Sequence, residues 1–278
     1  HSAGTLSAAG TRCATADMWA FVRQDSPQPS LRRLTDLLPR SERLKGKVAL
    51  VIGGSRGLGA AITQALASQG CTVFLNYHRC RREAEEILAS LGDASRLIEL
   101  AQGDASEIEW CRMLRQRIVE RYGGLDLLIG NASPPIRPLS FVPEKLAQFQ
   151  TFLTQSVALA GMPMSTFLND LSARFGWNVL VSSAFVNDRP AEWPHYVTAK
   201  CAIEGLAQWA AVHSPKVHTL IVRPPKLLTD QTNTTVGRQG AMEIERAAAA
   251  IVTRICYPEL PPAVQILETF EMNPESSQ

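Results

Sequence analysis

The sequence predicts an α/β fold, in which a doubly wound, mostly parallel sheet carries helices on both faces. Short apolar runs of strand length recur from Lys45 onward, and longer segments of helical period lie between most of them. The runs are continuous rather than alternating, which is typical of strands covered on both faces, as in parallel sheets. A glycine-rich turn also follows the first run and opens a helix, as in sheets of this class.

Seven apolar runs are the candidate strands. In order they are KVALVIG, CTVFLNY, RLIELAQGD, LDLLIGNAS, NVLVSSA, HTLIVRP and AVQILETF. They predict a seven-stranded sheet in one domain over residues 45–278. Residues 1–44 are rich in Ser, Ala, Pro and Arg, so we predict an N-terminal extension or linker there that can dock on the main body.

Composition excludes several classes of function. The 278 residues carry a net charge of +2, and the one basic cluster has acidic residues interspersed, which argues against nucleic acid as a partner. No apolar run approaches the roughly 20 residues of a membrane span, and the first 30 residues lack a secretory signal. The six cysteines show no CxxC pair and no metal-like spacing with histidine. We expect reduced thiols, no metal site and a cytoplasmic location.

The turn IGGSRGLG carries three spaced glycines, Gly53, Gly57 and Gly59, between the first strand and an amphipathic helix. Glycine allows a sharp turn and a close approach of backbone to a pyrophosphate. The amides at the start of the helix, together with its dipole, favour phosphate charge. An ordinary glycine turn is the alternative, but the position between strand and helix favours a dinucleotide site.

The end of the second strand bears on the choice of dinucleotide. FLNYHRC has no Asp or Glu where an NAD site would hold the ribose hydroxyls. Arg56 stands in the glycine turn, and His78 and Arg79 follow the strand. Guanidinium groups match a phosphate well, so the sequence favours NADPH over NADH. The alternative is that Arg79 and the next two arginines solvate a helix start.

HYVTAKCAIEGL places Tyr196 four residues ahead of Lys200 in a run of helical period. Side chains at i and i+4 share a helix face. The ammonium is therefore expected to stabilise the phenolate and lower the pKa of Tyr196 from about 10. A partly buried tyrosine beside a solvated lysine is the alternative for this pair.

Taken in order, GGSRGLG, QGD, GNAS, VSS and YVTAK resemble a classical short-chain dehydrogenase/reductase, which implies a Rossmann-type sheet. GGSRGLG and FLNY are most similar to NADPH-dependent 3-oxoacyl-[acyl-carrier-protein] reductases and related ketoreductases. The resemblance implies that Ser183 holds the substrate carbonyl, that Tyr196 donates a proton as hydride arrives from nicotinamide, and that Lys200 tunes the tyrosine and holds the ribose. Hydride addition leaves charge on oxygen, so an acid and an oxygen-directed donor also make physical sense there.

The resemblance also implies the cofactor contacts. Asp104 would contact the adenine, Asn131 to Ser133 would line the cofactor after the fourth strand, and Pro224 would stand near the carboxamide of the nicotinamide. The whole predicted cofactor-binding set is Gly53, Ser55, Arg56, Gly57, Leu58, Gly59, Asn76, Tyr77, His78, Arg79, Asp104, Ala105, Asn131, Ala132, Ser133, Tyr196, Lys200 and Pro224.

Four positions depart from the family pattern. Ile52 and Gly130 each stand beside the glycine turn where the family has a polar side chain, and Pro225 stiffens a loop where glycine is usual. The most serious is Ala158, at the place of a fourth catalytic residue, an asparagine that holds a water linking the lysine to solvent. Gln155, three residues earlier, is a candidate substitute, and a plain surface role is its alternative.

The sequence therefore predicts NADPH-dependent reduction of a ketone to a secondary alcohol, on a 3-oxoacyl thioester carried by acyl carrier protein or coenzyme A. A degenerate member that binds dinucleotide or a partner domain without catalysis is the alternative, and a reductase for a free small ketone or a steroid-like alcohol is a third. KLLTDQTNTTVGRQG, residues 226–240, is the predicted lid.

The surroundings of the predicted site and the assembly complete the expectations. Phe185, Trp193 and Met162 are candidates for an apolar wall, with core packing as the alternative. His195 is predicted to be a surface histidine, with a second acid beside the tyrosine as the alternative. VQILETFEMNPESSQ lacks the paired glycines of the family's tetramers. We expect a homodimer through the two long helices that hold Ala158 and Tyr196, or a domain of a polyketide or mixed polyketide and peptide synthase.

Overall fold

The computed structural model describes residues 28–229, 232, 238–258 and 264–270. These residues form a seven-stranded sheet in the order β3-β2-β1-β4-β5-β6-β7, with every neighbouring pair parallel. The strands are β1 Val48–Ile52, β2 Thr72–Tyr77, β3 Ile98–Gln102, β4 Leu127–Gly130, β5 Trp177–Val181, β6 His218–Val222 and β7 Val264–Leu267. The predicted doubly wound sheet is confirmed, and each of the seven candidate runs contributes a strand.

Helices cover both faces of this sheet. They are α1 Leu31–Leu37, α2 Gly57–Ser68, α3 Arg81–Ser90, α4 Ile108–Tyr122, α5 Leu146–Ala173, α6 Phe185–Asp188, α7 Pro194–His213 and α8 Ile244–Cys256. None in the described part of the chain is long and apolar enough to cross a bilayer.

Alternation along β1 divides the core into two layers. Ala49 and Val51 pack with residues of α2 and α8 on one face of the sheet. Leu50 and Ile52 pack with residues of α4, α5 and α7 on the other. Successive strand residues point to opposite faces, so a strand buried on both faces has an unbroken apolar sequence, as VALVI does.

The last part of the predicted extension packs on the main body. Leu34 of α1 is fully buried and belongs to the same core layer as α2 and α8. The Ser30 amide donates to Glu245 at 2.8 Å, and Arg33 pairs with Glu243 at 2.8 Å, both at the start of α8. Residues 1–27, part of the predicted lid and residues 271–278 lie outside the described residues.

The strands end together at one edge of the sheet, which we call the carboxyl edge. Ile52 pairs with Gly130, and Val181 pairs with Val222. The glycine turn after β1 and the segments after β4, β5 and β6 therefore meet along this edge. Ligands of open parallel sheets bind at such an edge, and the predicted site residues follow these strands.

Candidate active site

The glycine turn between β1 and α2 is compact, and its first glycine packs against the start of the helix. Gly53 and Gly57 have φ angles of +72° and +53°, in a region that favours glycine. A Cβ atom on Gly59 would lie 2.1 Å from the carbonyl oxygen of Gly53. α2 therefore begins directly against the turn, so the unpaired amides of its first turn lie at the carboxyl edge.

Two asparagine side chains hold this turn in place. The side-chain oxygen of Asn76, on β2, accepts a hydrogen bond from the Gly53 amide at 3.2 Å, and its amide donates to the carbonyls of Ala101 and Gly103 at 3.1 and 3.0 Å. Asn131, after β4, donates to the Gly53 carbonyl at 3.0 Å. Both residues are in the predicted cofactor set, and this geometry gives both a part in shaping the backbone that would meet the cofactor.

Polar and charged side chains surround the end of β2. Arg56, His78 and Arg79 are exposed there. The carboxylate of Asp104 accepts hydrogen bonds from the backbone amide and the hydroxyl of Ser106 at 2.9 and 2.7 Å, and its Oδ2 lies 3.8 Å from Nδ1 of His78. Burial disfavours the charged form of Asp104, but the bonds from Ser106 and the nearby His78 and Arg79 hold its pKa below the usual value.

The other residues of the predicted cofactor-binding set lie along the same edge of the sheet and differ in their exposure to solvent. The side chains of Ser55, Leu58, Tyr77 and Ala105 are buried. Ala132 packs against Gly53, where an added Cβ would meet the alanine methyl at 3.0 Å. Ser133 is exposed, and Pro224 is buried with its carbonyl accepting from the Ala184 amide at 3.0 Å.

The tyrosine and lysine lie one turn apart on α7, as their spacing predicts. Nζ of Lys200 is 5.5 Å from the centroid of the Tyr196 ring and donates to the Val181 carbonyl at 2.7 Å. Lys200 is only 5% exposed, so the alternative of a solvated lysine is wrong. The Ser183 hydroxyl, after β5, lies close enough to the Tyr196 phenol to influence its pKa. The three predicted catalytic side chains therefore meet at the carboxyl edge.

Burial shifts both ionisable groups of this cluster. It raises the pKa of Tyr196, and the Ser183 hydroxyl opposes the shift only in part. The prediction of a lowered tyrosine pKa is therefore wrong for this structure, because desolvation of the phenolate outweighs its stabilisation. Burial lowers the pKa of Lys200 to about 8, against the opposing effect of Glu204. At neutral pH the phenol holds its proton and most of the lysine is charged.

Ala158 lies on α5, the helix that packs along α7. An alanine methyl can hold no water by hydrogen bonding, so this side chain offers the lysine no link to solvent. Gln155 is exposed on α5 and lines an open cavity of about 330 Å³ together with Pro134, Pro135 and Phe152. The exposure of Gln155 agrees with the alternative of a plain surface role.

Aromatic rings surround Tyr196. The Phe185 ring meets it edge-on at 6.0 Å, the Phe152 ring lies 6.4 Å away, and Trp193 is 6.2 Å from Phe185. His195 is 3% exposed, so the prediction of a surface histidine is wrong. The first turn of α7 packs on α5, which brings the His195 ring edge-on to Phe152 at 4.5 Å, and burial lowers its pKa.

One buried charged residue at this edge was not predicted. Glu204 is 5% exposed, follows Lys200 by one turn on α7 and pairs with Arg223 after β6. The signal was present in the sequence, since a carboxylate at i+4 from the lysine must share its face of the helix. Among the described residues, no group of His, Cys, Asp and Glu has the arrangement of a metal site.

A family model described as short chain dehydrogenase matches residues 47–239. 3-Oxoacyl-[acyl-carrier-protein] reductase FabG of Haemophilus influenzae is 26% identical over 200 residues, which cover 71% of this chain and 81% of that protein. Hydroxynaphthalene reductase arp2 of Aspergillus fumigatus is 30% identical over 169 residues, covering 60% and 61%. An uncharacterized oxidoreductase of Mycobacterium bovis is 29% identical over 212 residues, covering 71% of this chain and 62% of its own length.

A crystal structure of a short chain dehydrogenase from Burkholderia cenocepacia in complex with NADP superposes with a TM-score of 0.72 and 26% identity, covering 81% of this chain and 98% of that chain. The match with the family model extends from just before β1 through Tyr196 and Lys200 into the predicted lid. The chain belongs to the short-chain dehydrogenase/reductase family.

Proposed function

We propose that this protein reduces a ketone to a secondary alcohol with NADPH. The observation that carries the proposal is the meeting of Ser183, Tyr196 and Lys200 at the carboxyl edge, beside a glycine turn that only glycine can form. Tyr196 keeps its proton at neutral pH, since the ordinary pKa of a phenol is about 10 and burial raises it further. A protonated phenol is the form that can donate to a carbonyl oxygen.

The residues present fit a dinucleotide. In the proposed site the turn of Gly53, Gly57 and Gly59 and the first amides of α2 hold the pyrophosphate, and Asp104 meets the adenine. Arg56 and Arg79 give the end of β2 a cationic surface, His78 adds a polar ring beside them, and FLNYHRC contains no carboxylate. This favours the 2′-phosphate of NADPH. The NADP in the Burkholderia cenocepacia relative supports the same choice.

A bound nicotinamide supplies the hydride, and the chain's own residues manage the charge that develops on the substrate oxygen. Ser183 and Tyr196 both direct hydroxyls to that oxygen, and the phenol then passes its proton to the alkoxide. The Lys200 ammonium favours the phenolate left behind and holds the ribose. Its burial strengthens these interactions, because the local dielectric constant is low.

For the substrate we propose a 3-oxoacyl thioester on an acyl carrier protein or coenzyme A. The similarity to FabG supports this class. The same chemistry would suit a polyketide or mixed polyketide and peptide synthase that contains this chain as a domain. We also propose a cytoplasmic location, where thiols such as those of the buried Cys71 and Cys111 stay reduced.

Turnover is tested by following nicotinamide absorbance with NADPH and a small 3-oxoacyl thioester. We expect Tyr196→Phe to lower kcat about 10²- to 10⁴-fold, the usual contribution of a general acid, while the dissociation constant of NADPH changes little. Tyr122→Phe, which also removes one phenol hydroxyl but at the end of α4, where it donates to Glu99, is the matched control and should leave turnover unchanged. Unchanged turnover in Tyr196→Phe would remove the proposed acid.

A second candidate function is a binding module that holds dinucleotide and catalyses nothing. Ala158 favours it, because an alanine side chain at this position on α5 can hold no water to link the buried Lys200 to solvent for proton return. The two candidates differ in one measurement. NADPH binding without oxidation across thioesters, small ketones and steroid-like ketones would favour the module.

A further inference from the structure

A buried carboxylate lies between the ends of two strands at the proposed site. Glu204 accepts a short hydrogen bond from the Ser182 hydroxyl at Oε1. It also accepts two hydrogen bonds from one edge of the Arg223 guanidinium, from Nε at 3.0 Å and from Nη2 at 2.7 Å. A bidentate pair of this kind fixes orientation as well as distance. One side chain on α7 therefore holds the residue after β5 and the residue after β6.

Each partner of Glu204 adjoins a residue of the proposed machinery. Ser182 precedes Ser183, and Arg223 precedes Pro224. The backbone joins the same two segments, because the Ser182 amide donates to Val222 at 2.7 Å and the Ala184 amide to Pro224 at 3.0 Å. Lys200 lies one turn before Glu204 on α7, so the carboxylate is attached to all three segments.

Arg223 is held from its other side as well. Its Nη1 donates to Glu268 after β7, and the Asn187 amide donates to the same carboxylate at 3.0 Å. The Arg223 backbone amide donates to Leu267 at 2.9 Å. The guanidinium therefore has a fixed place between an interior and a surface carboxylate, and Glu204 meets a preorganised partner.

The charges around Lys200 follow from this arrangement. Tyr196 and Glu204 flank it on α7, and β5 presents the Val181 carbonyl. Glu204 is the charged group that acts on the ammonium within the described chain. Arg223 faces Glu204 and reduces its net field, and Glu268 in turn faces Arg223. Glu204 therefore favours the charged form of Lys200 against the effect of burial.

We propose that Glu204 is a positioning residue of this active site: its carboxylate holds the Ser183 and Pro224 segments against α7 and keeps Lys200 in its charged form. The proposal rests on the proposed function, since it assigns Glu204 a task only in relation to the residues of that reaction. It adds a member beyond the serine, tyrosine and lysine that the family resemblance implies.

The test uses two variants with opposite expected signs. Glu204→Gln keeps the shape and removes the charge. Cβ atoms at i and i+4 of a helix are about 6 Å apart. At that separation and an effective dielectric constant of about 20, loss of the charge should move the alkaline limb of kcat/KM down by about one to two pH units. Arg223→Gln leaves the carboxylate without its counter-charge and should move the limb up. If the two substitutions only loosened the fold, the limb would not move in opposite directions in the two variants. A shift of the limb in the same direction in both variants would overturn the proposal.

Two controls separate positioning from stability. Glu204→Asp keeps the charge and should return the limb toward that of the wild type, with kcat still reduced because the carboxylate is one methylene shorter. Asp126→Asn removes a buried carboxylate that pairs with Lys47 and Arg174 at the opposite edge of the sheet. It should lower Tm and leave the limb in place. A lower Tm with an unmoved limb in Glu204→Gln would make Glu204 merely structural.

A readout that needs no turnover keeps this test apart from that of the proposed function. NMR of lysine labelled with ¹³C at Cε, with the Lys200 signal assigned by Lys200→Met, reports the pKa of Lys200 in each variant. It should fall in Glu204→Gln and rise in Arg223→Gln. If the wild type reduces no carbonyl while these shifts occur, the proposed reaction fails and the link from Glu204 to Lys200 stands. If Lys200 titrates alike in all variants, the positioning role is wrong.

Discussion

At the scale of single residues, the phenol of Tyr196 and the ammonium of Lys200 differ in what burial does to them. Burial raises the pKa of the phenol and lowers that of the lysine, in each case because it disfavours the charged form. A carbonyl reductase needs the phenol protonated and the lysine charged. Burial therefore secures the first condition at neutral pH and limits the second.

This limit predicts the pH dependence of the reaction. The pKa of Lys200 is about 8, and that of Tyr196 is raised from its ordinary value of 10.0. As pH rises, the lysine loses its proton first, so kcat/KM for reduction should be level near neutrality and fall above about pH 8. A pH profile with NADPH and a 3-oxoacyl thioester measures the limb. A first fall only above pH 10 would show that neutral Lys200 is sufficient.

The sequence identified these residues and their spacing, but burial had to come from the structure. Tyr196 and Lys200 lie on one helix face because spacing alone determines that. The sign of the tyrosine shift depends on burial, which comes from tertiary packing that places the rings of Phe152 and Phe185 around the Tyr196 ring. The prediction that His195 lies on the surface was wrong for the same reason. Its burial follows from the packing of α5 on α7 and not from its neighbours in sequence.

At the scale of elements, local signals predicted most of the architecture. Each apolar run became a strand because an unbroken apolar sequence can satisfy both faces only inside a parallel sheet. The glycine turn was predicted in the same way, since the φ angles of Gly53 and Gly57 require glycine. The helix α1 was harder, because SLRRLTDLL is short and amphipathic, and only the surface of α2 and α8 gives Leu34 a place.

The glycine turn carries its own prediction. Gly59→Ala should weaken NADPH binding at least tenfold, because the new methyl would stand 2.1 Å from the Gly53 carbonyl and force the turn open. The control is Gly205→Ala in α7, where an added Cβ meets nothing within 4 Å and helix propensity favours alanine by roughly 1 kcal/mol. Titrations of both variants with NADPH and NADH measure the effect, and wild type should prefer NADPH. Equal affinities of Gly59→Ala and wild type for NADPH would show that the glycine turn does not bind the cofactor.

At the scale of the whole molecule, the folded chain still exposes apolar side chains on α7. Trp209 is 56% exposed and Val212 is 76% exposed, one turn apart by their spacing, although α7 also carries Tyr196 and Lys200. A surface aromatic beside an exposed valine is typical of association sites. Sequence reasoning placed an interface on the two long helices, and these exposed side chains support that placement as a proposal.

A homodimer through α5 and α7 predicts that a charge on this surface separates the subunits. Val212→Glu should shift the molar mass in light scattering from dimer to monomer, because a charge buried at an interface without a partner is costly. Met113→Glu is the matched control, since Met113 is 64% exposed on α4 and lies off the two helices. If the second subunit of the homodimer stabilises α7, the monomeric variant should also lose turnover, since the same helix carries Tyr196. A wild type that is monomeric at micromolar concentration would instead leave α7 free for another domain of a larger synthase.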